Sequence, residues 1–325
     1  MQLSAGIDTW SVGWYLRPDS RAERAVDQLA TGKSKRFNAF PAEVADHRLL
    51  YDKGSRFLVA EGHPSSDGLC SVDPDRLLAV QEAIADGLAD LGVEVPRSPA
   101  PFDRPRSPGA AGIRRIDLAV DVAGEAHHGR ALLSGVAAIE PPRLLRSVVH
   151  RAKTGRQVET VSWQGARGKV GRVYDKGVEQ LSHSPGERVR FEDQRRYQAG
   201  TRPLVADVGP EYAQAMFQMR WDPLRKATKG VLVTSQHRCA EVVQELVDEG
   251  ELTQAQACKI LGYALIEQAG LAEEIPRTTR WRYRALLREA GVVFTDSDLE
   301  AEVEIDLGDS IEQLLEAAVW EQAKS

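Results

Sequence analysis

Two acidic residues at alternating positions of an apolar run are the chemical feature most easily read from this chain. In Arg115-Ile116-Asp117-Leu118-Ala119-Val120-Asp121, a strand would turn Asp117, Ala119 and Asp121 to one face and Ile116, Leu118 and Val120 to the other. Two pleat repeats of about 6.6 Å would set the aspartates roughly 13 Å apart at their backbones. That is too far for both to hold one ion without help from curvature. One is expected to bind metal and the other to anchor a base. An edge strand with a hydrated face would show the same pattern.

Two further segments add the groups that a phosphoryl-transfer site needs. Arg172-Val173-Tyr174-Asp175-Lys176-Gly177-Val178-Glu179 gathers tyrosine, acid, base and turn glycine at a strand end. Arg188-Val189-Arg190-Phe191-Glu192-Asp193-Gln194-Arg195-Arg196-Tyr197 puts a carboxylate among arginines, with a tyrosine at its end. Carboxylates from two strands make an oxygen-only site suited to Mg²⁺ or Mn²⁺. Arginines beside them suit phosphate by bidentate pairing.

In order and spacing these three segments resemble the motifs of the Rep_trans family, the rolling-circle replication initiators of plasmids and phages, with the related relaxases of conjugative elements. The resemblance covers about residues 113–225, with weaker likeness around 7–15. It implies metal-dependent nicking of one origin strand, a tyrosine joined to the 5′-phosphate, and a free 3′-hydroxyl as primer. Carried over, it implies Asp117 and Glu192 as metal ligands with Asp121 third, Tyr197 as nucleophile, and Lys176 neutralising the scissile phosphate. Tyr174 and Tyr212 remain alternative nucleophiles. Arg190 and Phe191 before Glu192 leave the register of that carboxylate open. Two other readings stay in view: a non-catalytic DNA-binding initiator or regulator, and a conjugative relaxase with the same chemistry.

The elements that must position these residues imply an α+β fold, mainly an antiparallel sheet with helices packed on one face, followed by a helical C-terminal region. Residues 1–95 form an N-terminal α/β part, with a strand at 7–15, a hairpin of 49–51 with 56–61, and a helix over 73–91 capped by Asp73 or Asp75. A Pro-rich linker or loop spans 96–112. The catalytic region, 113–230, carries strands at 113–122 and 188–196, a hairpin of 158–164 with 169–179, and helices over 130–139 and 211–225. Residues 231–295 read as helical, with helices at 239–246, 253–268 and 279–290. An acidic tail, 296–325, includes a helix near 310–322, most simply a solvated one. No internal repeat is visible.

Net charge is −6, yet its distribution favours nucleic acid. Residues 296–325 hold ten acids and one base, and residues 143–202 hold 14 bases against 6 acids, a local excess of +8. Phosphate responds to the field within about 10 Å, not to whole-chain charge. Arg172, Arg190, Arg195 and Arg196 are therefore candidate DNA contacts. Arg280, Arg282 and Arg284, interleaved with Trp281 and Tyr283, are the same on a basic helix. Three scattered cysteines, Cys70, Cys239 and Cys258, argue against a disulfide framework. The N-terminus lacks a signal-peptide pattern and no run is long enough to span a bilayer, so a cytoplasmic location is expected. His127-His128 lack the spacing of a histidine nicking site and mark a loop or helix start. No P-loop occurs, so ATPase activity is not expected. Expected partners are origin DNA, double- and single-stranded, and a host helicase, with a homodimer left open and no membrane.

Overall fold

The computed structural model describes residues 2–18, 20–29, 38–65, 68–96, 111–139, 147–151, 158–164, 170–180, 184–198, 201–235, 238–268, 275–294, 304–317 and 320. The expected linker at 96–112 thus lies mostly outside the described residues. So does the first part of the acidic tail.

The first half of the sheet comes from β1 (Gln2–Tyr15), β2 (Asn38–Val44), β3 (His47–Asp52) and β4 (Phe57–Gly62), with α1 (Arg21–Leu29) after β1 and α2 (Pro74–Asp90) after β4. The second half comes from β5 (Ala111–Ala123), β6 (Ser147–Arg151), β7 (Val158–Gln164), β8 (Val170–Asp175) and β9 (Arg188–Arg196). Here α3 (Ala126–Ala138) follows β5, the short α4 (Lys176–Gln180) follows β8, and α5 (Pro210–Thr228) follows β9. All nine strands join one antiparallel sheet in the order β2-β3-β4-β1-β5-β9-β8-β7-β6.

No repeat is visible in the sequence, yet the four-stranded and five-stranded halves of the sheet follow a similar path. Outward from the β1–β5 junction, each half runs first strand, last strand, then inward through the sequence. In each half a helix follows the first strand and another follows the last. The duplication is one of topology; the two halves carry different side chains, so residue patterns do not show it.

The sheet's alternation explains both faces. On β5, Ile116, Leu118, Val120 and Val122 enter the main core, with Phe191 and Val189 of β9. On β1 the core set changes phase. Ile7 is buried, and then Trp10, Val12 and Trp14. The cause is a β-bulge: Ile7 pairs with Leu118 and Thr9 with Asp117, leaving Asp8 as the extra residue. Trp10, Trp14, Trp163 and Trp221 are all fully buried. On area terms each contributes up to about 4–6 kcal/mol. Trp221 of α5 meets Trp163 of β7 and Phe191 edge-on, at 5.6 and 5.4 Å between ring centroids, which fastens α5 to the sheet. The cap of α2 is as expected: the Asp73 side chain accepts from Asp75 N at 3.0 Å, with Pro74 opening the helix.

Beyond α5 the sequence led to the expectation of a purely helical region, and the structure adds strands to the helices. A small sheet, β10 (Leu232–Thr234), β11 (Val292–Phe294) and β12 (Glu304–Asp306), runs in the order β11-β10-β12. It frames α6 (Cys239–Asp248), α7 (Gln254–Gln268) and α8 (Arg277–Glu289), which share a second core including Val242, Val243, Ile260 and Leu287. A capping box opens α7, since Gln256 N donates to Thr253 Oγ1 and Thr253 N to Gln256 Oε1. The module abuts α3 at Gly135, where any added Cβ would lie 2.6 Å from Val233.

The acidic tail is also corrected. Its helix, α9 (Leu307–Ala317), buries Leu307, Ile311, Leu314 and Leu315 in the main core. Gln214 Nε2 of α5 donates to Leu315 O at 2.7 Å, and Val72 N donates to Trp320 O. Only its outer face is acidic. No helix among the described residues is long and apolar enough to cross a membrane.

Candidate functional site

Register decides which polar residues meet. Directly opposed residues of an antiparallel pair share a face. On the sheet face away from Ile116 and Leu118, Asp117 stands opposite Gln194, Ala119 opposite Glu192, and Asp121 opposite Arg190. β8 adds Arg172 opposite Glu192 and Tyr174 opposite Arg190. Asp117 and Glu192 are therefore diagonal neighbours on adjacent central strands, and the small Ala119 next to Asp117 on that face leaves room between them.

Both carboxylates are almost wholly buried, at 1% exposure each, and each is held by a guanidinium. Arg115 reaches Asp117 through two bonds, Nε to Oδ1 at 2.9 Å and Nη2 to Oδ2 at 2.5 Å, and also pairs with Glu61 at 3.0 Å. The Gln194 amide lies against Asp117 and the same guanidinium, and with its oxygen assigned to the Arg115 side it accepts from that cation. Burial pushes the Asp117 carboxyl up to about 6; the Arg115 bonds and charge oppose this and the nearby Glu192 charge adds to it. Glu192 accepts from Arg172 Nη2 on Oε1 and from the Tyr174 hydroxyl on Oε2, the latter at 3.1 Å. The Arg172 guanidinium and Lys176 Nζ lie 5.9 and 5.7 Å from the centre of the Tyr174 ring. Tyr174 and Arg172 also line a cavity of about 190 Å³ with Glu159, Thr160, Asp175 and Val178.

Asp175 serves position rather than chemistry. Its Oδ1 accepts from Gly177 N (3.0 Å) and Val178 N (3.3 Å), starting α4, and its Oδ2 accepts from Gly186 N (2.7 Å). The carboxylate thereby fixes the chain on either side of Lys176. Burial raises its pKa against those three backbone donors.

Asp121 stands apart from Asp117. Both of its oxygens are taken by Arg190, at 2.5 and 2.9 Å, and Arg190 also bonds Asp8 from the β1 bulge. A third place for Asp121 on a metal shared with Asp117 is thus not what the geometry provides; it anchors Arg190. Since Arg190 is itself 3% exposed and doubly paired, it is not free for phosphate.

Tyr197 is the largest departure from the sequence expectation. It is an odd-numbered residue of the β9 path, so it follows Val189 and Phe191 to the helix face and packs on the main core. Its hydroxyl bonds that of Tyr212, and burial raises the pKa of both phenols. The sheet lies between it and Glu192. Arg195 goes the same way, pairing with Asp193 and donating to Met216 O at 2.5 Å. Arg196 is exposed at the strand end, and Arg282 is exposed on α8. The side chains of Arg280 and Arg284 lie outside the described residues.

Arg115, Glu61, Asp8 and Gln194 were not singled out from sequence. Arg115 shares a face with Asp117 by simple alternation and could have been. Asp8 could not, because its placement depends on the bulge.

Asp117 and Glu192 are hard oxygen donors of the kind that Mg²⁺ and Mn²⁺ take together with water and phosphate, but in this structure a guanidinium holds each of them. For the ion to enter, Arg115 and Arg172 would have to turn from the carboxylates toward the phosphate.

No protein-family model matches the chain, and no curated protein matches it. Among solved structures, it is similar to the rolling circle replication initiator protein from Geobacillus stearothermophilus. That likeness has a TM-score of 0.33 and 13% identity, covering 67% of this chain and 80% of that one. It is also similar to Methanococcus jannaschii TBP, with a TM-score of 0.30 and 14% identity, covering 69% of this chain and 99% of that one. Neither likeness is strong enough to assign an activity.

Proposed function

We propose that this chain nicks one strand of origin DNA through Tyr174 and so initiates rolling-circle replication. The observation that carries this reading is the Tyr174 hydroxyl bonded to the buried Glu192 carboxylate, with Arg172 and Lys176 beside the ring.

An ordinary phenol and an ordinary carboxylate differ by about 6 pK units, so full proton transfer alone would be uphill by roughly 8 kcal/mol. The transfer becomes accessible when it accompanies attack and cations stabilise the forming charge. Tyr174 Oη bonds to phosphorus as its proton passes to Glu192. The P–O3′ bond breaks, and the leaving 3′-oxygen takes a proton from water. The products are a 5′-phosphotyrosine and a 3′-hydroxyl primer. Lys176 and Arg172 offset the charge of the scissile phosphate. Asp117 and Glu192 would hold Mg²⁺ or Mn²⁺, which supplies further charge neutralisation when bound.

The test is an SDS-stable adduct with a labelled single-stranded oligonucleotide from the origin of the same replicon, with Mg²⁺ or Mn²⁺. Tyr174→Phe should abolish the adduct, while Tyr197→Phe and Tyr212→Phe retain it. An adduct of wild-type yield from Tyr174→Phe overturns this assignment.

A second reading is favoured by the pairing of Asp117, Glu192 and Asp121 each with an arginine. A DNA-binding initiator without nicking chemistry would have such a self-neutralised face. Tight origin binding by the wild type, with no adduct under either metal, selects it.

A further inference from the structure

On the other side of the sheet lies a second group of ligating side chains that the nicking reading does not use. We propose that Glu125, His127 and His128 bind a divalent transition metal of the zinc class at the mouth of a cavity bordered by α3, β12 and α9. The carboxylate oxygen and the imidazole nitrogens lie within 4.8 Å of one another. His127 Nε2 is 3.1 Å from Glu125 Oε2, and the two imidazole rings are 4.3 Å apart at their centroids.

Local geometry explains why these residues converge. Glu125 occupies the N-cap position of α3, with extended backbone (φ −68°, ψ 139°), yet its side chain makes no capping bond. The short side chains favoured at this position accept from first-turn N–H groups; the longer Glu125 instead reaches His127. His127 and His128 fall in the first helical turn, so consecutive side chains need not point oppositely as on a strand. Two donors on one tetrahedral ion with bonds of 2.0–2.1 Å lie about 3.4 Å apart. Side-chain rotations moving each donor by about an ångström would close the group on an ion. Two imidazoles with one carboxylate select a borderline ion over Mg²⁺. The positive end of α3 opposes the cation only weakly, by a factor of roughly 2–5 in affinity.

The cavity, about 350 Å³, is lined by Glu125 and His128 on one side and by Asp306 and Asp309 on another. Three protein ligands leave a coordination position for water or for one of these carboxylates. Val122 also lines it. Since Val122 and Asp121 alternate on β5, this cavity is on the opposite sheet face from Asp117 and Glu192.

The experiment uses the full chain, stripped with EDTA and titrated with Co²⁺, read by visible d–d absorption and by paramagnetically shifted imidazole N–H resonances. One equivalent with imidazole signals is expected, displaced by Zn²⁺. His127→Ala and His128→Ala should each weaken it at least about tenfold, while Asp117→Asn and Glu192→Gln leave it unchanged. His127→Gln and His128→Gln, checked by thermal melting, separate loss of ligand from loss of fold. An unchanged Co²⁺ spectrum in the double histidine variant, or no uptake by the wild type at roughly 100 µM Co²⁺, overturns the proposal. Because the imidazole signals belong to this site alone, its failure is distinguishable from failure at Asp117 and Glu192.

Discussion

Asp193 is fully buried between two arginines, Arg195 of its own strand and Arg220 of α5 (2.7 Å). At an effective dielectric of about 20, a guanidinium and a carboxylate with charge centres about 4 Å apart attract by ~4 kcal/mol. Two guanidiniums about 6 Å apart repel by ~3 kcal/mol. The second arginine thus gains only ~1 kcal/mol net, which the desolvation of its buried cation offsets. Consistent with that surplus of donors, Arg220 Nη2 has no hydrogen-bond partner among the described residues. The expected result is asymmetric. Asp193→Ala strands two buried cations and should cost about 3–5 kcal/mol, a large part of the roughly 5–15 kcal/mol that holds a domain. Arg220→Met should cost less than about 1 kcal/mol. The double variant should be more stable than Asp193→Ala alone. Urea unfolding followed by tryptophan fluorescence measures all three, with Trp163 and Trp221 as reporters near the triad. If Arg220→Met costs as much as Asp193→Ala, the electrostatic reasoning is wrong. The same logic makes Arg195 structural: Arg195→Ala should lower the unfolding midpoint without changing the salt slope of DNA binding.

Glu192→Gln removes the proton acceptor for Tyr174 and should slow adduct formation by about 10²–10⁴-fold; gel-shift affinity for the origin measured alongside should hold. His47 is buried, accepting from Trp10 Nε1 (2.8 Å) on Nε2 and bonding Ala45 O through Nδ1. Burial lowers its pKa below 6.5. The unfolded chain therefore takes the proton first, so this contribution is full above pH 6.5 and lost as pH falls below it. Urea midpoints of wild type and His47→Gln from pH 7.5 to 5 should converge as the pH drops; parallel curves would contradict this. Ile311→Ala should cost about 2–5 kcal/mol in the same assay, because α9 closes the main core; a loss under 0.5 kcal/mol would mean a dispensable tail.

Much of the site was legible in sequence because strand alternation has a period of two. Asp117, Ala119 and Asp121 had to share a face, and Arg172 and Tyr174 had to share another strand's face. What alternation within one strand cannot supply is register between strands. That Glu192 stands opposite Ala119 and Arg172, so that Tyr174 reaches it, follows from pairings between residues 73 and 20 apart. The parity of Tyr197 was legible, yet the resemblance pointed to its closeness in sequence rather than to its face. The duplicated halves were hidden because apolar β1–β4 and charged β5–β9 share a path and not a residue pattern. The tail misled through its composition: ten acids mask the apolar stripe of Leu307, Ile311, Leu314 and Leu315. The strand carboxylates were determined by the sequence alone. Their partners, and the convergence of two adjacent histidines with Glu125, were decided by tertiary structure, because short-range pattern fixes where a side chain points but only chain packing fixes what it meets.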